Sequence, residues 1–415
     1  MRRVVAGYPL VITALLLSLY GVAMVYSAGQ TDVPTVAAHA WIAQLRWLAF
    51  GLVGAYIVSR GSVRFYEWVA LPAYVISCIV LLFTWKFGGG AGDAASSHSW
   101  LVIGGHRLGQ PTELAKVTTV LMLARELAAR REAPRSLLEL WRPAVVILIP
   151  WLLIMAQPDL GSAMVFIGIF FAMLYWSGVP FPLLVLLASP AVSLILAFST
   201  SLWGAWFIAL LLLVLWYKPY MLEGVGLVTA NVIMGVLAPI TWDRLSEYQK
   251  HRLLVFLDPT IDPRRSGWHV IQSQVAIGSG GWLGKGYLAG TQKRLAFLPE
   301  QHTDFIFAVV GEELGFIGVT LALALFFYLL LRAVRVASSA NDAFSTLAAF
   351  GIASCWLVHI IVNVGMTLNL MPITGIPLPF FSYGGSFMVS CWIAVGILVR
   401  IASEGRGARI GDVAV

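Results

Sequence analysis

GWHVIQSQVAIGSGGWLGKGYLAGTQKRLAFLPEQHTDFIFAVVGEELGFIG, residues 267–318, runs from a polar, glycine-rich stretch into a long apolar one without a break. It carries Lys285, Lys293, Arg294, Glu300, His302 and Asp304 before Phe305, Ile306 and Phe307 open the apolar part. The chain around it has a membrane composition. Of its 415 residues 59% are hydrophobic and 11% charged, against about 25% charged in soluble domains. The apolar runs approach or exceed the ~20 residues that cross a bilayer. In lipid the backbone must satisfy its own hydrogen bonds, which leaves helices or closed barrels. The runs are continuous rather than alternating, and that selects helices. The fold class is an all-α polytopic integral membrane protein. Polar groups this dense beside a span need a reason, and chemistry at the membrane surface supplies one.

Outward from this stretch, about twelve transmembrane helices are predicted, near residues 8–27, 41–59, 66–85, 109–128, 143–157, 160–177, 181–199, 203–217, 222–240, 304–331, 345–367 and 380–400. The chain reads as a single membrane domain over residues 1–415, with a large loop at 241–303 between late spans. The first run follows Met-Arg-Arg without a small-residue cleavage site, so a retained span is expected rather than a signal peptide. Cys78, Cys355 and Cys391 all lie inside apolar runs and form no spaced ligand set, which argues against a disulfide frame or a zinc site. The net charge of +7 reflects orientation against a membrane rather than a nucleic-acid partner.

Arginine and lysine set that orientation. Arg2, Arg3, Arg60, Arg64, Arg125, Arg130, Arg131, Arg135, Arg142, Lys218, Arg332, Arg335, Arg400, Arg406 and Arg409 fall on one side of a twelve-span chain. The positive-inside rule makes that side cytoplasmic, both termini included. The loop 241–303 then lies outside, although it holds Arg244, Lys250, Arg252, Arg264, Arg265, Lys285, Lys293 and Arg294. Long loops translocate largely regardless of charge. Solvated loop charges are one reading; a basic surface for an anionic, phosphorylated lipid is the sharper one. Val270 to Ile277 is apolar enough for a short interfacial helix or a re-entrant piece, which the glycines at 278, 280, 281, 284 and 286 then break.

Ionisable residues inside a membrane are expensive unless paired or hydrated, so each is a functional hypothesis. Glu113 and Lys116 lie three apart after Pro111, on one helix face. The alternative to a site role is a structural ion pair. Asp159 in Gln157-Pro158-Asp159 sits at a break between spans, where it also suits an N-cap. Asp304 stands where the loop enters a span, with the same alternative. Glu113, Lys116, Asp159 and Asp304 are thus expected at one depth, on one side, beside the basic loop. That pattern describes an outward-facing cavity with carboxylates for proton transfer and cations for phosphate.

These residues resemble the SEDS glycosyltransferases, the shape, elongation, division and sporulation proteins. The matching segments are QPTELAK (110–116), QPDLG (157–161), LDPTIDPRRSGWHVIQS (257–273), AIGSGGWLGKG (276–286), GTQ (290–292), FLPEQHTDFIFAVVGEELG (297–315) and GIPLPFFSYGGS (375–386). They cover the chain from about Trp100 to the last span. GTQ followed by FLPE favours the elongation branch over the division branch. The resemblance implies polymerisation of peptidoglycan glycan strands from lipid II at the outer face of the cytoplasmic membrane, for cell elongation and shape. It also implies a class B penicillin-binding protein, a transpeptidase, as partner. It puts the family's essential aspartate at Asp304, its fourth-span polar residues at Glu113 and Lys116, and its outer-loop tryptophan at Trp100. The family usually has ten spans, which marks 203–240 as an extra helix pair, lipid-facing or partner-facing.

Polymerisation joins an α-linked sugar pyrophosphate through a β-1,4 bond, and that inversion implies one in-line displacement. The acceptor hydroxyl needs a general base, expected to be Asp304. His302 orients that group, replaces it as base, or merely caps a helix. Trp100 stacks on a sugar ring or anchors the interface. Pyrophosphate needs charge stabilisation from Lys116, Lys285, Lys293, Arg252 or a divalent cation such as Mg²⁺ or Mn²⁺ bridging protein and pyrophosphate. No compact metal-ligand motif is present. The GIPLPFFSYGGS segment is expected to be a rigid re-entrant turn, more structural than chemical. Two rivals remain: a lipid-precursor flippase, and a non-catalytic scaffold of a cell-wall synthase. A flippase needs polar groups along both halves of a pathway, whereas here the cytoplasmic halves are nearly free of buried charge.

Overall fold

The computed structural model describes residues 7–32, 35–90, 99–103, 106–130, 132–244, 250, 254, 256, 266–295, 297, 298 and 300–405. Nine helices are α1 (Tyr8–Gly29), α2 (Ala40–Ser59), α3 (Val63–Phe87), α4 (Pro111–Ala128), α5 (Trp141–Ala156), α6 (Leu160–Trp176), α7 (Phe181–Leu196), α8 (Thr200–Tyr217) and α9 (Met221–Arg244). Two short ones follow, α10 (Ser266–Gly280) and α11 (Thr291–Arg294), and then α12 (Ile306–Ser338), α13 (Ala343–Thr367) and α14 (Gly385–Gly405). A small hairpin, β1 (Leu101–Ile103) and β2 (His106–Gly109), joins α3 to α4.

Every predicted span coincides with a helix. Among the described residues nine helices are long and apolar enough to cross a membrane, and α6 and α7 are apolar but shorter. The remaining helix, α4, carries Glu113, Lys116, Arg125 and Glu126 within eighteen residues. Two boundaries move. The last helix begins at Gly385 rather than 380, because 372–384 is irregular and tied down by side chains. The late span runs on to Ser338, past the predicted 331.

α13 and α14 form the centre: 67% of the apolar window of each is buried, against 6% for α8. α14 packs on α2, and α13 on α12, α6 and α4. α8 and α9 form a peripheral pair on α7, around Leu186, Leu210 and Leu227. A buried polar knot holds them. Asn231 donates to the Ser189 hydroxyl (2.8 Å) and accepts from that of Ser193 (2.6 Å), and the Trp206 indole reaches Ser193 (3.1 Å). Polar side chains of this kind fasten helices that lipid cannot drive together.

The stretch 266–294 folds back as a hairpin against α12. The His269 ring stacks on Phe305 (5.9 Å), Ser273 donates to the Thr367 carbonyl (2.8 Å), and Ile277 lies against Gly311. α10 therefore descends beside the first turns of α12. From Phe305 to Gly315 that is ten residues, or ~15 Å of helix. At Gly315 (φ 60°, ψ −158°) α12 is broken. The hairpin tip bonds backbone to backbone across the break, from Lys285 N to Glu312 O, Gly286 N to Glu313 O, Phe316 N to Gly281 O and Ile317 N to Trp282 O. The positive φ at Gly315 and the close approach of its Cα to Gly284 demand glycine there. The return strand leads through α11 to Gln301, whose amide donates to Ala28 O (2.8 Å) at the end of α1.

Candidate functional site

One end of the bundle gathers the start of α4, the break between α5 and α6, the entry to α12 and the loop 372–384. On α4, Lys116 donates to both oxygens of Glu113 (3.0 Å each), and both side chains are almost wholly buried. The pair is continued by a residue that sequence reasoning missed. His359 of α13 lies 3.0 Å from Lys116 Nζ through Nε2 and 3.0 Å from the Pro377 carbonyl through Nδ1. A cavity of about 20 Å³ sits against Glu113 and Lys116, bordered by Cys355, Ser390 and Cys391. That is room for about one water molecule.

Asp159 caps α6, accepting from Ser162 N (3.0 Å) through one oxygen and from the Gln110 amide (3.0 Å) through the other. Gln110 in turn takes a bond from its own N–H to the Ser386 hydroxyl (3.2 Å). Beside Asp159, Gly161 packs on Thr374 and Ile376 with no space for a side chain. The loop 372–384 thus packs on α6 and leads into α14, whose Ser386 meets the start of α4.

Asp304 meets the same loop. A Cβ built on Gly375, whose φ is +70°, would stand 3.1 Å from Asp304 Oδ2. The main-chain carbonyl of Asp304 accepts from the Asn363 amide (2.9 Å), which also donates to Ile376 O (2.7 Å). Asp304 is half-buried, and the N-cap position of α12 falls on the next residue, Phe305, whose side chain makes no cap bond. His302 lies one turn of loop away, half-buried, its ring 5.5 Å from that of Tyr383, whose N–H donates to His302 O (3.0 Å). Burial holds the His302 imidazole below the usual histidine range, with the Glu300 carboxylate pulling it back. Gln44 of α2 completes the frame, donating to Ser382 O (2.8 Å) and accepting from Gly384 N (3.2 Å).

Asp304 therefore meets the loop 372–384 directly, Asp159 through its neighbour Gly161, and the Glu113–Lys116 pair through His359. Lys285 and Lys293 do not join them. Lys293 is fully buried, 2.7 Å from Glu313 and within 2.7 Å of both Ser27 oxygens. Lys285 bonds Glu312 (2.8 Å) and Thr291 (2.7 Å). Together the two lysines fasten the hairpin to α12 and α1. Trp100 is half-buried and pairs its backbone with Gly89 ahead of the small hairpin. Arg252 lies outside the described residues. Among the described residues no three His, Cys, Asp or Glu side chains gather as a metal set.

Gln44, His359 and Asn363 are the site residues that charge-based reasoning passed over. Each is a polar side chain inside a predicted span, a signal available in the sequence.

A family model described as Cell cycle protein, covering FtsW, RodA and SpoVE, matches residues 8–209 and 203–407. A peptidoglycan glycosyltransferase RodA of Treponema pallidum is 33% identical, over 95% of this chain and 96% of its own length. A peptidoglycan glycosyltransferase MrdB of Escherichia coli K12 is 34% identical, over 94% and 91%. A solved chain from a peptidoglycan synthase complex, described as coordinating polymerisation and crosslinking, superposes with a TM-score of 0.69. It is 27% identical, with 95% of this chain and 97% of that one covered. With the site residues set on the framework that these segments build, the chain belongs to the FtsW/RodA/SpoVE family of polytopic membrane proteins.

Proposed function

We propose that this chain polymerises peptidoglycan glycan strands from lipid II at the outer face of the cytoplasmic membrane, for elongation and cell shape. One observation carries the assignment of the base: Asp304 is a half-buried carboxylate at a loop-to-helix junction, its backbone clamped by Asn363. The membrane carboxylates Glu113, Glu312 and Glu313, by contrast, are almost wholly buried, out of reach of a substrate. The acceptor 4-hydroxyl gives its proton to the Asp304 carboxylate as its oxygen bonds to the donor's anomeric carbon. The bond from that carbon to the pyrophosphate oxygen breaks on the opposite face, and the lipid pyrophosphate leaves with the electron pair. That single displacement turns an α-linkage into a β-linkage. The Lys116 ammonium, on α4 and 3.0 Å from Glu113, contributes positive potential towards the developing pyrophosphate charge.

On the reading of twelve crossings with both termini cytoplasmic, the loop 372–384 and Asp304 face outside. The partner we expect is a class B penicillin-binding protein, on the strength of the related synthase complex. The test is polymerisation of purified lipid II by the purified chain, with and without that partner. Wild type makes long glycan, and Asp304→Asn makes none while remaining folded and partner-bound. Glycan at wild-type yield from Asp304→Asn refutes the assignment.

A further inference from the structure

Two polar side chains one turn apart on α13 touch both halves of the site. His359 contacts Lys116 and the carbonyl of Pro377; Asn363 contacts the carbonyls of Asp304 and Ile376. Residues four apart share a helix face, and Ile376 and Pro377 are neighbours in the loop. One face of α13 thus holds two consecutive loop carbonyls, and from the same two side chains it reaches Lys116 on one side and Asp304 on the other. Both side chains are fully buried.

The chemistry of the contacts fixes the histidine's state. An ammonium can only donate and a carbonyl can only accept. Nε2 of His359 must therefore be the bare acceptor for Lys116, and Nδ1 must carry the proton donated to Pro377. The ring is held in that pose by stacking on Phe387 of α14, with centroids 4.7 Å apart and planes at 28°. Asn363 is just as constrained, because its two carbonyl partners require its amide nitrogen to face them.

We propose that His359 and Asn363 are positioning residues, which set the spacing between the Glu113–Lys116 pair and the Asp304 base. This rests on the polymerase reading above. Neither side chain touches the reacting atoms; each acts through a group that the mechanism uses. A misplacement of about 1 Å in such an arrangement costs ~100-fold in rate.

The test combines kinetics with a spectroscopic signature. His359→Leu and Asn363→Leu should each lower kcat for lipid II polymerisation by ~100-fold, with KM little changed. His359→Gln should restore most of the rate, because one amide offers the acceptor for Lys116 and the donor for Pro377. A role in packing alone predicts the reverse order, with the apolar leucine tolerated at least as well as glutamine. Independently of activity, ¹⁵N-histidine spectra of the full chain in nanodiscs should show His359 as the neutral Nδ1–H tautomer. That resonance should shift in Lys116→Met. A His359→Leu enzyme with wild-type kcat, a protonated Nε2, or a resonance indifferent to Lys116→Met overturns the proposal. If wild type itself fails to polymerise lipid II, the functional reading falls, and the spectra still decide the positioning geometry.

Discussion

Lys293 offers a sharp test, because two incompatible roles can be told apart at one position. A basic residue in a polar loop beside a pyrophosphate site suggests a substrate ligand. The structure instead buries it completely against Glu313 (2.7 Å) and Ser27. Replacing Lys293 with Met leaves the Glu313 carboxylate in the interior. It retains the Ser27 hydroxyl (2.6 Å) and Gly290 N–H (3.3 Å) as its remaining donors. Removing one partner of a buried pair costs ~3–5 kcal/mol. The two surviving donors should keep the loss near the lower end, about 3 kcal/mol. The double variant Lys293→Met/Glu313→Met removes the stranded charge, leaving only neutral groups without partners. It should therefore be more stable than the sum of the single losses predicts, by about 0.5–3 kcal/mol. Unfolding in dodecyl maltoside–SDS mixed micelles, followed by tryptophan fluorescence, measures all four corners of this cycle. Additivity of the two single losses within ~0.5 kcal/mol refutes the mutual-neutralisation argument. An unchanged unfolding curve for Lys293→Met, with a raised KM for lipid II, returns the residue to the substrate.

Gly375→Ala places a methyl 3.1 Å from Asp304 Oδ2 at a φ of +70°. It should cost on the order of 1–2 kcal/mol in stability and lower polymerisation more than that loss explains; equal kcat rules out contact between this loop and the base. The His302 imidazole binds its proton less tightly when folded than its ordinary value of 6.5 allows. The unfolded chain therefore holds more protons at acid pH, and the penalty, absent well above 6.5, grows as pH falls through it. His302→Gln should flatten that part of the pH–stability curve, and an unaltered slope between pH 7 and 5 contradicts the assignment. Asn231→Leu should weaken the α7–α8–α9 knot by ~0.6–1.7 kcal/mol without touching kcat, since the site lies elsewhere. A large fall in lipid II turnover would make the peripheral pair part of the catalytic apparatus.

The fold was largely legible because apolar runs in lipid allow few alternatives, and each predicted span coincides with a helix. The Glu113–Lys116 pair was legible too, because three-residue spacing on a helix forces contact. Convergence of that pair with Asp159 and Asp304 could be guessed in depth but not laterally. It depends on loop 372–384, whose backbone contacts come from Gln44 on α2 and from His359 and Asn363 on α13. The hairpin lysines were harder for the same reason. Lys285 meets Glu312, 27 positions away, and Lys293 meets Glu313, 20 positions away. Neither pairing exists until the hairpin has folded back against α12.

The break at Gly315 has a consequence for how the protein is made. A helix interrupted in the bilayer leaves main-chain groups that lipid cannot satisfy. Here the bonds across the break come from residues 281–286, which the ribosome delivers about thirty residues earlier. The late span is therefore incomplete as a unit of membrane insertion, and so is the hairpin, whose lysines and tip need α12. The two must leave the insertion machinery as one piece. Changes at Gly284 or Gly315 should then show as failed assembly of the nascent chain, before any enzyme exists to be assayed.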